Sequence, residues 1–383
     1  MTRLQDAQSR PRVKKLLPEL RKRPIDFSRE PRLLKRFILR LREDSQFLRA
    51  FVQWSFALLC IWIGIEFYYF VEWGLSNSAS PFISRPPGVE GFLPISALIS
   101  LKYWLQTGVV NDIHPSGLFI FLAIVAIGLF LKKAFCSWLC PIGTISESLW
   151  NFGQKIFRRN LALPRWLDYP LRSLKYLLLV FFLWAIAQMD VDALRTFIYS
   201  PYNKVADIKM YLFFAEISSF ALWTIIALVF LSVLIKNFWC RYLCPYGGLL
   251  GIVSWLSPIK VTRNAETCID CALCTKACPA NIKVHAVEKV WSDECTNCLE
   301  CVAVCPVKNT LDLRLPSKKK VIPNWIFGAL VVGLFTGITL LAMLRGEWQN
   351  RIPKEEYLRR MQNLDAPIYQ HFQGRVPEYD AHD

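Results

Sequence analysis

The chain has 383 residues, 54% of them hydrophobic and 14% aromatic, with a formal net charge of +16. The apolar residues fall in long runs flanked by Lys and Arg. That pattern points to membrane lipid and argues against a nucleic-acid partner, which would need a basic, aromatic-studded soluble face. Of the 13 Cys only Cys60 stands outside a repeated motif, so a secreted disulfide scaffold is excluded and free thiolates in a reducing compartment are expected.

Residues 1–45 form a basic N-terminal arm, expected on the cytosolic side. Arg32, Lys35, Arg36 and Arg40 suit the polar face of an interfacial helix, with Leu33, Leu34, Phe37 and Leu41 opposite. No A-x-A site follows the first apolar run, so no cleaved leader is expected. Residues 46–259 read as a four-span membrane domain. Its spans are expected at Phe51–Val71, Gly117–Leu131, Leu171–Met189 and Tyr211–Ile235. Lys132 and Lys133 are expected to snorkel from the end of the second span. The stretch 92–110 is a re-entrant or interfacial helix, because a further crossing would put the basic arm and the cysteine-rich segment on opposite sides. A final span follows at 317–345, and 346–383 is a polar tail expected in the periplasm.

The segment 260–316 carries the strongest pattern. CIDCALCTKACP from Cys268 and CTNCLECVAVCP from Cys295 both read C-x2-C-x2-C-x3-C-P. In the bacterial two-cluster ferredoxin this spacing places three thiolates on a tight loop, and the fourth cysteine of each run ligates the other cluster. Cys268, Cys271, Cys274 and Cys305 are therefore expected to hold one [4Fe–4S] cluster, and Cys295, Cys298, Cys301 and Cys278 the second. Pro279 and Pro306 end the two runs.

A related motif occurs twice in the membrane domain, as FCSWLCPIG at 135–143 and WCRYLCPYG at 239–247. Both copies follow an apolar span, which marks an internal repeat. Cysteines four apart share one helical face. If the copies face each other, Cys136, Cys140, Cys240 and Cys244 converge on a further metal centre, Fe–S or zinc. Reversible disulfides or simple packing are the alternatives. The fold expected is thus mainly α: a polytopic membrane helix bundle with an internal repeat, carrying a small α+β two-cluster ferredoxin domain.

Catalytic residues are less legible. Glu66, His114 and Glu216 are candidates for proton acceptance from a quinol, against the simpler reading of helix ends meeting water. The histidines His114, His285, His371 and His382 lie outside the spans, so no membrane haem is expected. TGIT at 336–339 lies inside a span and is not taken for a flavin site.

Two C-x3-C-P motifs followed by the doubled ferredoxin run resemble the NapH/NosR/YccM group of membrane polyferredoxins, and more distantly CcoG. The resemblance spans about 50–345 and implies electron transfer at a bacterial inner membrane. It implies a quinol or cytosolic donor and a partner redox system, often periplasmic. A copper or iron reductase, or a maturation factor using the same clusters, is the alternative it leaves open.

Overall fold

Runs of apolar residues without breakers fold as helices, because in lipid only a helix satisfies its own backbone. The computed structural model describes residues 32–158, 160–315 and 321–370, with Lys22, Asp26, Phe27, Glu30 and Tyr379. Most of the basic N-terminal arm, residues 316–320, and His371 and His382 lie outside the described residues. In chain order the main helices are α1 (Leu33–Glu43), α2 (Ser45–Leu75), α3 (Pro94–Thr107), α4 (Pro115–Leu131), α5 (Pro141–Phe157), α6 (Arg165–Ala187), α7 (Val191–Ile198), α8 (Ala206–Ala215), α9 (Ser219–Leu234) and α10 (Pro245–Val253). The ferredoxin segment adds β1 (Lys260–Arg263), α11 (Leu273–Ala277), α12 (Glu300–Val304), β2 (Leu311–Arg314) and β3 (Val321–Ile322). Helices α13 (Asn324–Leu344) and α14 (Lys354–Met361) follow.

Among the described residues, α2, α6 and α13 are long and apolar enough to cross a membrane, and α4 is a shorter apolar helix. The expected span at 211–235 is not one straight helix. Helices α8 and α9 meet at an angle of 81°. Glu216 leaves helical geometry at the end of α8, and Ser218 Oγ then accepts from Ala221 N at 3.3 Å. A polar Glu-Ile-Ser-Ser break with a serine cap starts a new helix in a new direction.

Two compact units are interleaved along the chain. The first comprises Met1–Ala57, Val125–Tyr176 and Phe230–Leu334. Within it β2 pairs antiparallel with both β1 and β3, in the register Lys260↔Arg314 and Leu313↔Ile322. Val261, Leu311 and Leu313 point inward, as the alternation of a half-buried strand dictates. Helix α1 forms as expected, with Leu33, Leu34 and Ile38 exposed. Lys132 and Lys133 do not snorkel. Lys132 turns the chain at a φ of 63° and is fully buried, its Nζ donating to Val290 O at 2.6 Å.

The second unit comprises Leu58–Ile124, Leu177–Val229 and Phe335–Asp383. The stretch expected to be re-entrant or interfacial folds as α3, which packs on α7 through Ile99, Tyr103, Leu194 and Ile198. Lys102 Nζ donates to Ile186 O and Ala187 O, each at 3.0 Å, so a cation sits on the carbonyl end of α6. The polar tail is less featureless than its composition suggests. Tyr357 and Met361 of α14 are buried with Phe67, Phe70 and Trp73, and a Cβ on Gly74 would lie 1.7 Å from the Met361 sulfur.

A buried ion cluster holds the loops of this unit. Arg85 donates to Asp207 at 2.5 Å and to Glu90 at 2.7 Å, and all three side chains are almost solvent-free. Burial alone would raise the Glu90 carboxyl, but Arg85, then His114 and Ser116, draw it down to about 2. A depressed folded value means that this stabilisation is complete above the ordinary carboxylate range and is lost as pH falls toward 2. Arg85→Met would strand two buried carboxylates and is expected to cost about 3–5 kcal/mol, read as a lowered melting temperature at neutral pH.

Candidate metal centre

The two ferredoxin runs adopt the same backbone. Asp270 and Ala272 have positive φ values of 51° and 58°, and Asn297 and Leu299, at the matching positions, have 48° and 62°. Left-handed residues at these points curl each loop around its own cysteines. Cys278 and Cys305 follow short helices and are extended, at φ −64°, ψ 119° and φ −66°, ψ 120°. The following proline forbids the helical alternative.

Cys268, Cys271, Cys274 and Cys305 line one small pocket, together with Ile269, His285 and Val307. The other four are also brought together: Cys301 lies within electrostatic reach of Cys278, Cys295 and Cys298. Each set draws on both runs, Cys305 beside Cys274 and Cys278 beside Cys301, and the two sets adjoin through Cys274 and Cys301. Among the described residues no three His, Cys, Asp or Glu side chains converge on one ion. The thiols surround a space instead. Burial and the neighbouring thiols push Cys274 up to about 11, so negative charge at this set has to be matched by a bound cation. Soft thiolates gathered at this spacing are the donor set an iron–sulfur centre takes.

The C-x3-C-P units of the membrane domain repeat this geometry. A short helical turn carries the first cysteine, and Cys140 and Cys244 are extended before their prolines, at φ −64°, ψ 119° and φ −73°, ψ 107°. The two thiols of a unit therefore do not share one continuous helical face. The turn closes the same way in both copies: Cys140 N donates to Phe135 O at 2.9 Å and Cys244 N to Trp239 O at 3.0 Å. Pro141 and Pro245 then begin α5 and α10, at the position where a missing N–H costs nothing. Gly247 N donates to Cys244 Sγ at 3.3 Å, and Gly143 N bonds Cys140 likewise. Cys136 lies within electrostatic reach of Cys244, and Cys140 of both Cys240 and Cys244. The duplicated thiols thus lie in one electrostatic neighbourhood, without three of them converging on a single ion among the described residues.

The proton-handling candidates make other contacts. His114 is buried, with Nε2 2.7 Å from Asn203 O and Nδ1 3.3 Å from Arg85. Both ring nitrogens are engaged, and the ring reads as part of the ion cluster. Glu66 accepts from Trp62 Nε1 at 3.0 Å, and Glu216 is exposed at the α8–α9 break.

Sequence reasoning missed the groups that seat the second ferredoxin loop. Arg49 forks onto Glu147 at 2.6 and 2.7 Å and reaches Glu300 at 2.9 Å. Gln46 donates to Cys298 O at 3.1 Å, and Gln53 to Glu147 at 3.0 Å. Lys175, fully buried, pairs with Glu294, and Tyr176 donates to Asp293. A signal existed: Gln46, Arg49 and Gln53 fall on one face of α2, at a spacing that simple flanking charges would not need.

A Cβ on Gly143 would lie 2.1 Å from Cys136 O, whereas one on Gly247 would lie 3.2 Å from Cys240 O. Gly143→Ala is expected to destabilise by about 1–3 kcal/mol, and Gly247→Ala by clearly less, in thermal unfolding of the two variants.

Comparison with known proteins agrees with this geometry. A family model described as a 4Fe-4S binding domain matches residues 113–160 and 218–264, the two membrane repeats. A 4Fe-4S dicluster domain matches residues 260–306. The putative electron transport protein YccM of Escherichia coli is 44% identical over 316 residues, covering 81% of this chain and 88% of that protein. The ferredoxin-type protein NapH of Escherichia coli is 29% identical over 45% of this chain and 59% of its own length. Protein NirI of Paracoccus denitrificans is 28% identical over 61% of this chain and 33% of its own. No solved structure matches. With paired ferredoxin loops, a duplicated thiol turn and this degree of identity to YccM, the chain belongs to the NapH/NosR/YccM-type family of ferredoxin-type electron-transport proteins.

Proposed function

We propose that this chain passes single electrons between a quinol or cytosolic donor and a periplasmic partner redox system, in the inner membrane of a bacterium. Cys268, Cys271, Cys274 and Cys305 hold one [4Fe–4S] cluster, and Cys278, Cys295, Cys298 and Cys301 the second. Cys136, Cys140, Cys240 and Cys244 hold a third centre, most simply Fe–S. When bound, such centres supply one-electron chemistry without a general acid or base. The protein's part is to hold the thiolates, exclude water and lend N–H donors to sulfur, as Gly247 does to Cys244.

One observation carries the reading. The Cys–Pro turn of the ferredoxin runs recurs at Cys140 and Cys244, with nearly the same backbone angles. A turn that seats cluster cysteines in one domain is repeated where the membrane thiols gather. The ferredoxin domain and the N-terminal arm are placed in the cytosol, with the tail opposite, because free thiolates persist in a reducing compartment. The names of relatives, such as electron transport protein and ferredoxin-type protein, support the same class.

Anaerobically prepared membranes should show three centres by potentiometric EPR. Cys298→Ser should remove a ferredoxin signal, and Cys136→Ser and Cys244→Ser should each lower iron per chain while both ferredoxin signals persist. Iron unchanged in the last two variants would remove the third centre. A colourless, iron-free preparation would remove the whole reading.

A further inference from the structure

The duplicated C-x3-C-P units share their cysteines, their glycine and their Cys–Pro backbone, but the residues between the cysteines face different partners. In the first unit Ser137 Oγ donates to Thr296 O at 2.7 Å, and Trp138 Nε1 donates to Asn297 O at 3.1 Å. Trp138 has no solvent exposure. The same positions in the second unit are Arg241 and Tyr242, and both turn to Asp168. Arg241 Nε lies 3.1 Å and Tyr242 OH 2.6 Å from that carboxylate. Holding a metal does not by itself call for this divergence.

Thr296 and Asn297 stand between Cys295 and Cys298, so the first unit is pinned to the backbone of the second ferredoxin loop. Asn297 returns the contact, its Nδ2 donating to Leu131 O at 3.4 Å. In the first ferredoxin loop the matching position is open to solvent. Its equivalent residue, Asp270, is exposed and faces Arg263 of the ferredoxin segment itself at 3.7 Å.

We infer that Ser137 and Trp138 form the junction at which the Cys278, Cys295, Cys298, Cys301 set exchanges electrons with the Cys136, Cys140, Cys240, Cys244 set. The inference rests on the proposed function, specifically on the membrane thiols holding a centre. In the exchange one electron leaves the reduced ferredoxin-loop centre and arrives at the membrane-thiol centre; no bond forms or breaks and no proton moves. The starting electron comes from an external low-potential one-electron reductant. Ser137 and Trp138 are positioning residues. Two hydrogen bonds in a dry contact fix the separation of the thiol sets and offer a short bonded route between them.

The test uses the full chain with its clusters, in membranes, mixed anaerobically with dithionite and frozen at timed intervals for EPR. Trp138→Phe keeps the ring against Phe327 and removes the N–H donor. Ser137→Ala removes the hydroxyl, and Tyr242→Phe is the matched change in the second unit. The expected result is unchanged iron in all three. Transfer to the membrane-thiol centre should be several-fold slower, with altered spin–spin broadening, in Trp138→Phe and Ser137→Ala only. Unchanged rates in both of those variants, or equal slowing in Tyr242→Phe, overturns the junction. Should Trp138→Phe lose iron, Ser137→Ala decides alone. Failure of the underlying centre is read separately, as unchanged iron in Cys136→Ser.

Discussion

The loop from Val290 to Cys298 is half-buried, with Val290, Glu294 and Asn297 sealed from solvent and Trp291 exposed, and each polar group it buries must find a partner. Lys132 reaches Val290 O, Ser137 reaches Thr296 O, Trp138 reaches Asn297 O, and Gln46 reaches Cys298 O. Tyr176 and Lys175 meet the carboxylates of Asp293 and Glu294. Donors thus come from the first turns of α2, the turn after α4, the first thiol unit and α6. Each is in sequence an oddity at the edge of an apolar run. Together they bind the ferredoxin segment to its helices through specific contacts, where apolar burial alone would leave register undecided.

Charge follows the same logic. A carboxylate in the slot of Asn297 would be buried and acceptor-only, with nothing to offer Leu131 O. In the first loop the same slot is open to water, and Asp270 is tolerated. Arg49 serves two carboxylates at once, which suits the planar fork of a guanidinium. The second unit uses a comparable device in Arg85, between Glu90 and Asp207. His114 belongs to that device. Its ring is buried and both nitrogens are engaged, by Arg85 and by Asn203 O.

The repeated thiol unit shows how one local solution serves two settings. Cys–Pro enforces extended backbone at the second cysteine, and glycine two residues after the proline lets the next helix pass close to the first cysteine's carbonyl. These are local requirements and survive duplication. What lies between the cysteines is free to vary, because those side chains answer to whatever packs against them: Ser137 and Trp138 to the ferredoxin loop, Arg241 and Tyr242 to Asp168.

The sequence by itself determined where the cysteine runs and their prolines stand, the amphipathic α1 and the helices of the apolar runs. These follow from spacing, proline sterics and hydrophobic periodicity, which act over a few residues. The tertiary structure alone decided that Lys132, Lys133 and Lys175 are buried, that the run at 211–235 bends, and that part of the polar tail packs into a core. It also decided that Ser137 and Trp138, rather than Arg241 and Tyr242, meet the ferredoxin loop. The reason is physical: a charged or polar side chain has the same pattern whether it meets water or a distant carbonyl, and only the folded chain shows which.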